Sequence, residues 1–331
     1  MKNVIQKLFV FSLFFVGSLA LAFSEPHVKW VSVSPDRELY VEFYPPQKGQ
    51  PTVVLLNGLT YSTRSWDQMT QALVQKGFGV VAYDMQGQGQ TLLRYAPALE
   101  VYKVEAQIED LKVLLQKLKI PAPYHLLGLS YGGGVAVGFG LNYPQLVKNL
   151  ILMAPYTKPL VTLDQWIQSQ VWATRRLFPA TPWSDDELYD FYYRQIVYAT
   201  YPQSEPTILE NPFKLEAVFR MGQGIRKFVP EKEAHQLQVP VHLIVARNDQ
   251  YIAQDVLDSF WQQVPVAQRM SRIYINGSEH KIPEAVPSFA AGWVQHILNQ
   301  QPALFKNKDF EGWPLRGVAQ SKDETIPVEK N

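Results

Sequence analysis

The chain reads Tyr-His-Leu-Leu-Gly-Leu-Ser-Tyr-Gly-Gly-Gly at residues 124–134, where an apolar run leads into a cluster of glycines. The middle of this stretch has the pattern Gly-x-Ser-x-Gly, with Ser130 at its centre. A serine in this pattern is typical of a sharp turn from a strand into a helix, because Gly128 and Gly132 leave space that larger side chains would fill. The N-terminus of such a helix offers free N–H groups to a developing negative charge. The stretch therefore predicts a nucleophilic serine at a strand end, the alternative being a tight turn that happens to carry a serine.

Short apolar runs alternate with helical patterns on both sides of this turn. An antiparallel hairpin is predicted first, because alternating segments at residues 30–33 and 39–44 flank a Ser-Pro-Asp-Arg turn. Further strands are predicted at residues 52–56, 80–83, 150–153, 241–246 and 272–275. Helices lie between them, and a final helix is predicted at residues 283–299. The pattern predicts an α/β fold with a mostly parallel sheet flanked by helices.

Residues 158–238 break this alternation between two predicted strands and are too long for a plain loop. Their helical stretches are rich in aromatic residues, so we predict a helical cap inserted over the carboxyl edge of the sheet. The cap would divide the core into residues 23–157 and 239–300. Most of its aromatics are expected to pack the cap onto the body, and a subset to line the passage to Ser130, since ligands bind at this edge. The candidates for substrate contact are Trp166, Trp172, Phe178 and Trp183.

The first 22 residues have the form of a secretion signal. Lys2 and Lys7 precede an apolar stretch at residues 8–22 that ends in Ala-Leu-Ala, a small-x-small cleavage pattern. This stretch is shorter than the roughly 20 apolar residues of a membrane span. We expect cleavage after Ala22, a new N-terminus at Phe23, no stable membrane insertion afterwards, and a periplasmic or secreted protein. The alternative is an uncleaved N-terminal anchor.

Residues 301–331 follow the last predicted helix and are polar and charged, with little periodicity. We expect a tail that docks on the body through its few large apolar side chains, Phe310, Trp313 and Leu315. Beyond Gln320 the composition is typical of a disordered end.

The charge balance argues against a nucleic-acid partner. The chain has 31 basic and 30 acidic side chains, and loss of Lys2 and Lys7 with the signal would leave 29 against 30, a net charge of −1. No basic surface that would hold nucleic acid is expected. The sequence has no cysteine, no spaced cluster of metal-binding residues and no phosphate-binding loop motif, so we predict neither disulfides, nor a metal, nor a cofactor.

A serine hydroxyl needs a general base, and the base needs an acid to orient it. Among six histidines, only His280 is predicted in a loop directly after a strand. Asp249 follows the strand at residues 241–246 in the same way, whereas Asp255, the nearest alternative, falls inside the next helix. Ser130, Asp249 and His280 are therefore the predicted catalytic set. The alternatives without a catalytic role are an exposed loop histidine at position 280 and, at position 249, an aspartate that caps a helix or closes a turn.

The chain order Ser130, Asp249, His280, with each residue at a strand end, is the order that α/β-hydrolases use. Over residues 51–298 the sequence resembles that superfamily, in particular its capped serine hydrolases. Relatives that open epoxides or cleave carbon–halogen bonds carry an aspartate at the nucleophile position. The serine in this chain argues against both of those chemistries.

Two loops depart from the usual pattern of the superfamily. Asn57-Gly58-Leu59 stands where members usually have His-Gly-x, and the resemblance implies that the backbone N–H groups of Leu59 and Tyr131 form the oxyanion hole. Residues 84–91 look like the D-x-R-G-x-G-x-S loop, with Gln86 in place of the arginine and Thr91 in place of the final serine.

The resemblance implies an esterase- or lipase-like serine hydrolase, and the predicted signal segment implies that it is exported. It would cleave an apolar acyl ester, either a small molecule or a lipid-like one, through an acyl-enzyme, with no metal or cofactor. Two alternatives stay open. One is another acyl-transfer reaction at the same site, such as peptide or amide cleavage, perhydrolysis or transfer to an alcohol. The other is a catalytically silent binding protein on a hydrolase scaffold.

Overall fold

The computed structural model describes residues 25–95, 102–200, 211–321 and 325–327, so the predicted signal segment lies outside the described residues. These ranges contain one sheet of eleven strands in the order β1-β2-β4-β3-β5-β6-β7-β8-β9-β10-β11. The strands are β1 (His27–Ser34), β2 (Arg37–Tyr44), β3 (Thr52–Leu56), β4 (Gly79–Asp84), β5 (Tyr124–Leu129), β6 (Val147–Met153), β7 (Val241–Ala246), β8 (Arg269–Ile275), β9 (Lys308–Trp313), β10 (Val318–Ser321) and β11 (Thr325–Pro327). The seven central strands, β4 to β9 in sheet order, run parallel, while β1, β2, β10 and β11 pair antiparallel at the two edges.

Helices cover both faces of this sheet, as the sequence predicts. They are α1 (Asp67–Gln75), α2 (Gly89–Arg94), α3 (Val104–Lys117), α4 (Tyr131–Asn142), α5 (Val161–Leu177), α6 (Asp185–Thr200), α7 (Lys214–Arg226), α8 (Gln254–Gln263), α9 (Ile282–Ala285) and α10 (Pro287–Asn299). The α/β class, the mostly parallel sheet and the N-terminal hairpin are confirmed. No helix of the described ranges is both long enough and apolar enough to cross a membrane.

Each face of the sheet has its own apolar core. Alternate residues of a strand point to opposite faces, so Val54 and Leu56 of β3 join one core and Val53 and Leu55 join the other. The first core is completed by α3, α4 and α8, and the second by α1 and α10. Because both faces are covered, the central strands are continuous apolar runs, and all six residues of β4 and of β7 are buried.

The predicted helix at residues 283–299 is two helices, α9 and α10. Val286 between them has φ −142° and ψ 52°, which is outside the helical region. Pro287 causes the break, because the proline ring clashes with a helical conformation of the residue before it. The break matters because α9 then follows the loop of His280 as a separate short turn.

The C-terminal segment is more ordered than its sequence pattern predicts. Strand β9 adds to β8 in parallel, and β10 and β11 extend the same edge. Phe310 is buried, with its ring centroid 4.9 Å from that of Trp293, but Leu315 is fully exposed, so its predicted docking is wrong. The strands escaped notice because edge pairing supplies backbone hydrogen bonds and needs few apolar side chains. Residues 322–324 and 328–331 lie outside the described residues.

The predicted helical insertion lies between β6 and β7 and contains α5, α6 and α7. Helices α5 and α6 pack through a small core of Ile167, Val171, Leu188 and Tyr189. Helix α7 joins the insertion to the body, because its residues Ala217, Met221 and Ile225 belong to the first core of the sheet. Residues 201–210, between α6 and α7, are not among the described residues.

Candidate active site

Ser130 occupies the turn between β5 and α4 in a strained conformation, with φ +50° and ψ −114°. A positive φ is costly for a residue with a side chain, so neighbouring structure must hold it. Ser130 N–H donates to the Met153 carbonyl at 2.9 Å, and the Ser130 carbonyl accepts from the Tyr156 N–H at 2.8 Å. The end of β6 and the residues after it therefore fix both backbone groups of the serine.

The glycines around Ser130 are required by close backbone contacts. A Cβ at Gly128 would lie 2.5 Å from the Gly132 carbonyl oxygen, and one at Gly132 would lie 2.2 Å from that of Leu56. A Cβ at Gly133 would lie 2.7 Å from Pro155. Helix α4 can therefore begin directly under the serine only because these positions carry no side chain.

Asp249 and His280 meet across the loops that follow β7 and β8. His280 Nδ1 lies 2.7 Å from Asp249 Oδ2, and Asp249 Oδ1 accepts the N–H groups of Tyr251 and Ile252, both at 2.8 Å. Both side chains are largely buried, with exposed fractions of 4% for Asp249 and 11% for His280. Because the carboxylate only accepts, it requires the proton on Nδ1 and leaves Nε2 free to take another.

One cavity of about 490 Å³ joins these elements, and both Ser130 and His280 line it. The hydroxyl and the imidazole therefore meet the same space, which is what proton transfer from Ser130 to His280 requires. Leu59 and Tyr131, the predicted oxyanion-hole residues, line the same cavity. Tyr131 is the first residue of α4, where the backbone N–H has no partner within the helix.

The family model described as "Serine aminopeptidase, S33" matches residues 47–284, which is most of the chain and includes every element of this site. The chain belongs to this S33 family of α/β-hydrolases. The fold described above agrees with this membership.

The proteins similar to this chain include the bifunctional epoxide hydrolase 2 of Sus scrofa. It is 34% identical over 98 residues, which are 30% of this chain and 17% of that protein. The chain spans less than half the length of the curated relatives it matches first. Among solved structures, the α/β-hydrolase MGS-M2 from a deep-sea metagenome has a TM-score of 0.63 at 19% identity, covering 82% of this chain and 98% of that one. The enol-lactonase of Burkholderia xenovorans LB400 has a TM-score of 0.60 at 19% identity, covering 82% and 100%.

The four aromatic candidates for substrate contact do not line the cavity of this S33 family member. Trp166, Trp172, Phe178 and Trp183 have exposed fractions of 48, 63, 65 and 44%, and none of them lines the cavity. Helix α5 packs Ile167 and Val171 against α6, which leaves Trp166 and Trp172 on its outer surface. Phe178 and Trp183 lie in the exposed connection between α5 and α6. Aromatic content alone does not tell the inner face of a cap helix from its outer face.

The apolar wall of the cavity comes instead from smaller side chains and tyrosines. It is formed by Leu129, Tyr156, Leu160, Leu163, Tyr189, Tyr193, Ile225 and Ile252. The spacing of Leu163, Ile167 and Val171 at every fourth residue marks the inner face of α5, and this signal was available in the sequence.

Charged groups also reach the cavity, and several have partners within the protein. The Tyr189 hydroxyl donates to Asp164 Oδ1 at 2.8 Å, and burial followed by this hydrogen bond raises the pKa of Tyr189. Arg226 lies over the Tyr189 ring at 3.9 Å and pairs with Asp186 at 3.0 Å. Tyr189 is therefore a neutral hydrogen-bond donor at the cavity wall, between the Asp164 carboxylate and the Arg226 guanidinium.

The other candidate acid and the strand histidines lie outside the site. Asp255 is exposed in the first turn of α8. His125 contacts Asn149 and His242 contacts Ser271, and burial lowers the pKa of these histidines to about 4 and about 3. Across the described residues, no group of three or more acidic or histidine side chains is arranged to hold a metal ion.

Proposed function

We propose that this α/β-hydrolase is a serine hydrolase that cleaves esters with an apolar acyl group, using Ser130, His280 and Asp249. One observation carries the proposal. Ser130, in its strained turn, and His280, which is bonded to Asp249, line the same cavity, and the three residues follow three different strands. Strain held at a buried turn is a common property of residues that react.

In the proposed reaction the Ser130 oxygen attacks the acyl carbonyl carbon while His280 Nε2 takes the hydroxyl proton. Asp249 keeps the imidazole in the required tautomer and stabilises the imidazolium. The N–H groups of Leu59 and Tyr131 donate hydrogen bonds to the carbonyl oxygen as it becomes negative, and one such donor lowers the barrier by about 3 kcal/mol. His280 then returns its proton to the leaving alcohol, and a water molecule releases the acid from the acyl-enzyme.

The cavity wall supports an apolar acyl group as the substrate side. Leu160 and Leu163 of the cap, Ile225 of α7 and Leu129 of β5 all line the cavity. Each methylene buried against such a wall contributes about 0.8 kcal/mol. The structurally similar enol-lactonase is named for a cyclic ester, which agrees with this chemistry. The epoxide hydrolase relative suggests a different reaction, but the resemblance associates that reaction with an aspartate nucleophile, and this chain has Ser130.

Export is part of the proposal and rests on the sequence alone. The protein would act in the periplasm or outside the cell as the chain that begins at Phe23. N-terminal sequencing of protein expressed in a Gram-negative host tests this step, and an intact membrane-bound chain that begins at Met1 would contradict it.

The test of the chemistry combines labelling with a substrate panel. A fluorophosphonate probe should label the purified protein at Ser130, and p-nitrophenyl esters should be cleaved faster than aminoacyl amides. Absence of labelling would favour a silent binding protein. Labelling with faster amide cleavage would favour the aminopeptidase activity for which the family is named.

A further inference from the structure

A chain of buried polar side chains lies behind the loop that carries Leu59. Asn57, Trp66 and Gln88 are all at most 2% exposed. Trp66 Nε1 donates to Asn57 Oδ1 at 2.9 Å, and Asn57 Nδ2 donates to the Tyr83 carbonyl at 2.9 Å and to Gln88 Oε1 at 3.1 Å. Gln88 Nε2 then donates to the Gly58 carbonyl at 2.8 Å.

The direction of every hydrogen bond in this chain is determined by its two ends. The Trp66 indole N–H can only donate, so Asn57 must turn its amide oxygen towards it. The Asn57 NH₂ group then faces Gln88, which must present its own oxygen. The remaining NH₂ group of Gln88 meets the Gly58 carbonyl, which can only accept. Neither amide can flip without leaving buried groups unpaired, and an unpaired buried group costs more than one hydrogen bond contributes.

The Gly58 carbonyl is therefore held from behind. It accepts from Gln88 Nε2 and also from the Tyr61 N–H at 3.0 Å. The carbonyl of Gly58 and the N–H of Leu59 belong to one planar trans peptide unit, in which the two groups point in opposite directions. The two hydrogen bonds that hold the Gly58 carbonyl therefore also set the direction of the Leu59 N–H, which points away from Gln88.

Gln88 is itself fixed by the turn that precedes α2. Asp84 accepts the Thr63 N–H at 2.8 Å and the Gln90 N–H at 2.7 Å, on either side of the buried chain. Gly89 has φ +43° and lies so close to Asp84 that a Cβ would be 2.1 Å from Oδ2. The turn therefore needs a glycine at position 89 and is tied to Asp84, and the Gln88 side chain reaches Gly58 from it.

We propose that Gln88 is a positioning residue that aims the Leu59 N–H at the reacting carbonyl oxygen. Asn57 and Trp66 fix the orientation of the Gln88 amide and act only through it. The inference rests on the proposed function, because it assigns to Leu59 the role of oxyanion donor.

The experiment compares Gln88→Met with Gln86→Met. Methionine has nearly the length of glutamine but cannot donate to Gly58. Gln86 lies in the same turn and donates to Asp110 at 2.5 Å, so its replacement breaks a hydrogen bond without touching the Gly58 peptide. Loss of a whole oxyanion donor costs about 100-fold or more in kcat, and a misaimed donor should lose part of that. We expect Gln88→Met to lower kcat on a p-nitrophenyl ester by about 10- to 100-fold with little change in KM, and Gln86→Met to change kcat less than threefold.

A second readout separates positioning from general damage. An alkyl boronic acid forms a tetrahedral adduct on the serine, whereas the carboxylic acid product binds without one. Gln88→Met should weaken boronate binding by the same factor as kcat and leave product binding unchanged. Trp66→Phe is measured in parallel, so that the inference can still be tested if Gln88→Met does not fold. It removes the hydrogen bond to the Asn57 amide and keeps the Gln88 side chain, and it should lower kcat severalfold. Unchanged kcat and boronate affinity in the folded variants would overturn the inference. Retained activity in Ser130→Ala would instead overturn the proposed function on which it rests.

Discussion

The turn after β5 and the cap helices above it face the same cavity but are built in different ways. The backbone of Ser130 is bonded to Met153 and Tyr156, and the glycines around it contact backbone atoms. The cap helices α5 and α6 contact each other through a small side-chain core and leave large aromatic rings exposed. Contacts between backbone atoms cannot be replaced by a different packing, whereas side-chain contacts can often repack around a substitution. The sheet edge should therefore fix the chemistry, and the cap should be the part in which substrate preference can change.

The largest expected effect is at Ser130. Ser130→Ala should fold normally and lose at least about 10⁴-fold in kcat, because no acyl-enzyme can form without its oxygen. Ser65→Ala is the control, since Ser65 lines the same cavity and has no role in the proposed reaction. Hydrolysis of a p-nitrophenyl ester and fluorophosphonate labelling measure both. A Ser130→Ala protein with more than a few per cent of the wild-type kcat would exclude Ser130 as the nucleophile.

Alanine at two glycines tests the contrast in construction. At Gly132 the new Cβ would lie 2.2 Å from a backbone oxygen, which cannot move without distorting β3. We expect Gly132→Ala to lower the free energy of unfolding by about 3 kcal/mol. At Gly222 of α7 the Cβ would meet the Tyr193 hydroxyl at 1.8 Å, the far end of a side chain that can rotate. There the change should be about 1 kcal/mol or less, as urea unfolding would measure. Equal losses at both positions would remove the distinction.

The pH dependence of stability should report the buried sheet core. Burial lowers the pKa of His242 to about 3, well below the usual value near 6.5, so the unfolded chain binds more protons than the folded one as the pH falls. The stability contribution of neutral His242 is therefore complete above pH 6.5 and is lost progressively below it. Between pH 7 and pH 4.5 this should amount to about 2.5 kcal/mol.

The variant His242→Gln isolates this effect. Glutamine can keep a hydrogen bond to Ser271 but does not titrate, so its free energy of unfolding should fall less than that of the wild type between the two pH values. Parallel curves for the two proteins would show that the acid sensitivity arises elsewhere, including from His125, whose pKa burial also lowers, to about 4.

The smallest effects concern the two sides of the cap. Leu163→Ala removes part of the cavity wall, so it should lower kcat/KM for p-nitrophenyl octanoate about tenfold relative to the acetate. Trp172→Ala removes a larger side chain from the outer surface, where it contacts Arg176, and should change both values less than twofold. A larger effect at Trp172 than at Leu163 would mean that the acyl chain binds across the outside of the cap.

The sequence was sufficient where a local rule acts without competition. The elbow at Ser130, the positions of Asp249 and His280 at strand ends, and the parallel sheet follow from glycine sterics, chain order and apolar periodicity. The break at Val286 also obeys a local rule, but the helical pattern on both sides of Pro287 hid it. The exposed tryptophans and strands β9 to β11 depend on which surface a neighbour covers, and no local pattern states that. The hydrogen bonds that link Trp66, Asn57, Gln88 and Gly58 join residues up to 31 positions apart, so they can be found only from the three-dimensional structure.

The alternation of β3 between the two cores has a consequence for how this chain can change length. Val53 and Leu55 face one core and Val54 and Leu56 the other, and the strand leads directly into Asn57 and Gly58. Insertion or deletion of a single residue in β3 would exchange the two faces and turn the following loop to the wrong side of the sheet. Residues 178–184, which join α5 to α6, form no strand and carry no such parity. Related chains should therefore differ in length between β6 and β7 and keep β3 at a fixed count, so that an alignment gap in β3 would signal loss of activity before any active-site residue has changed.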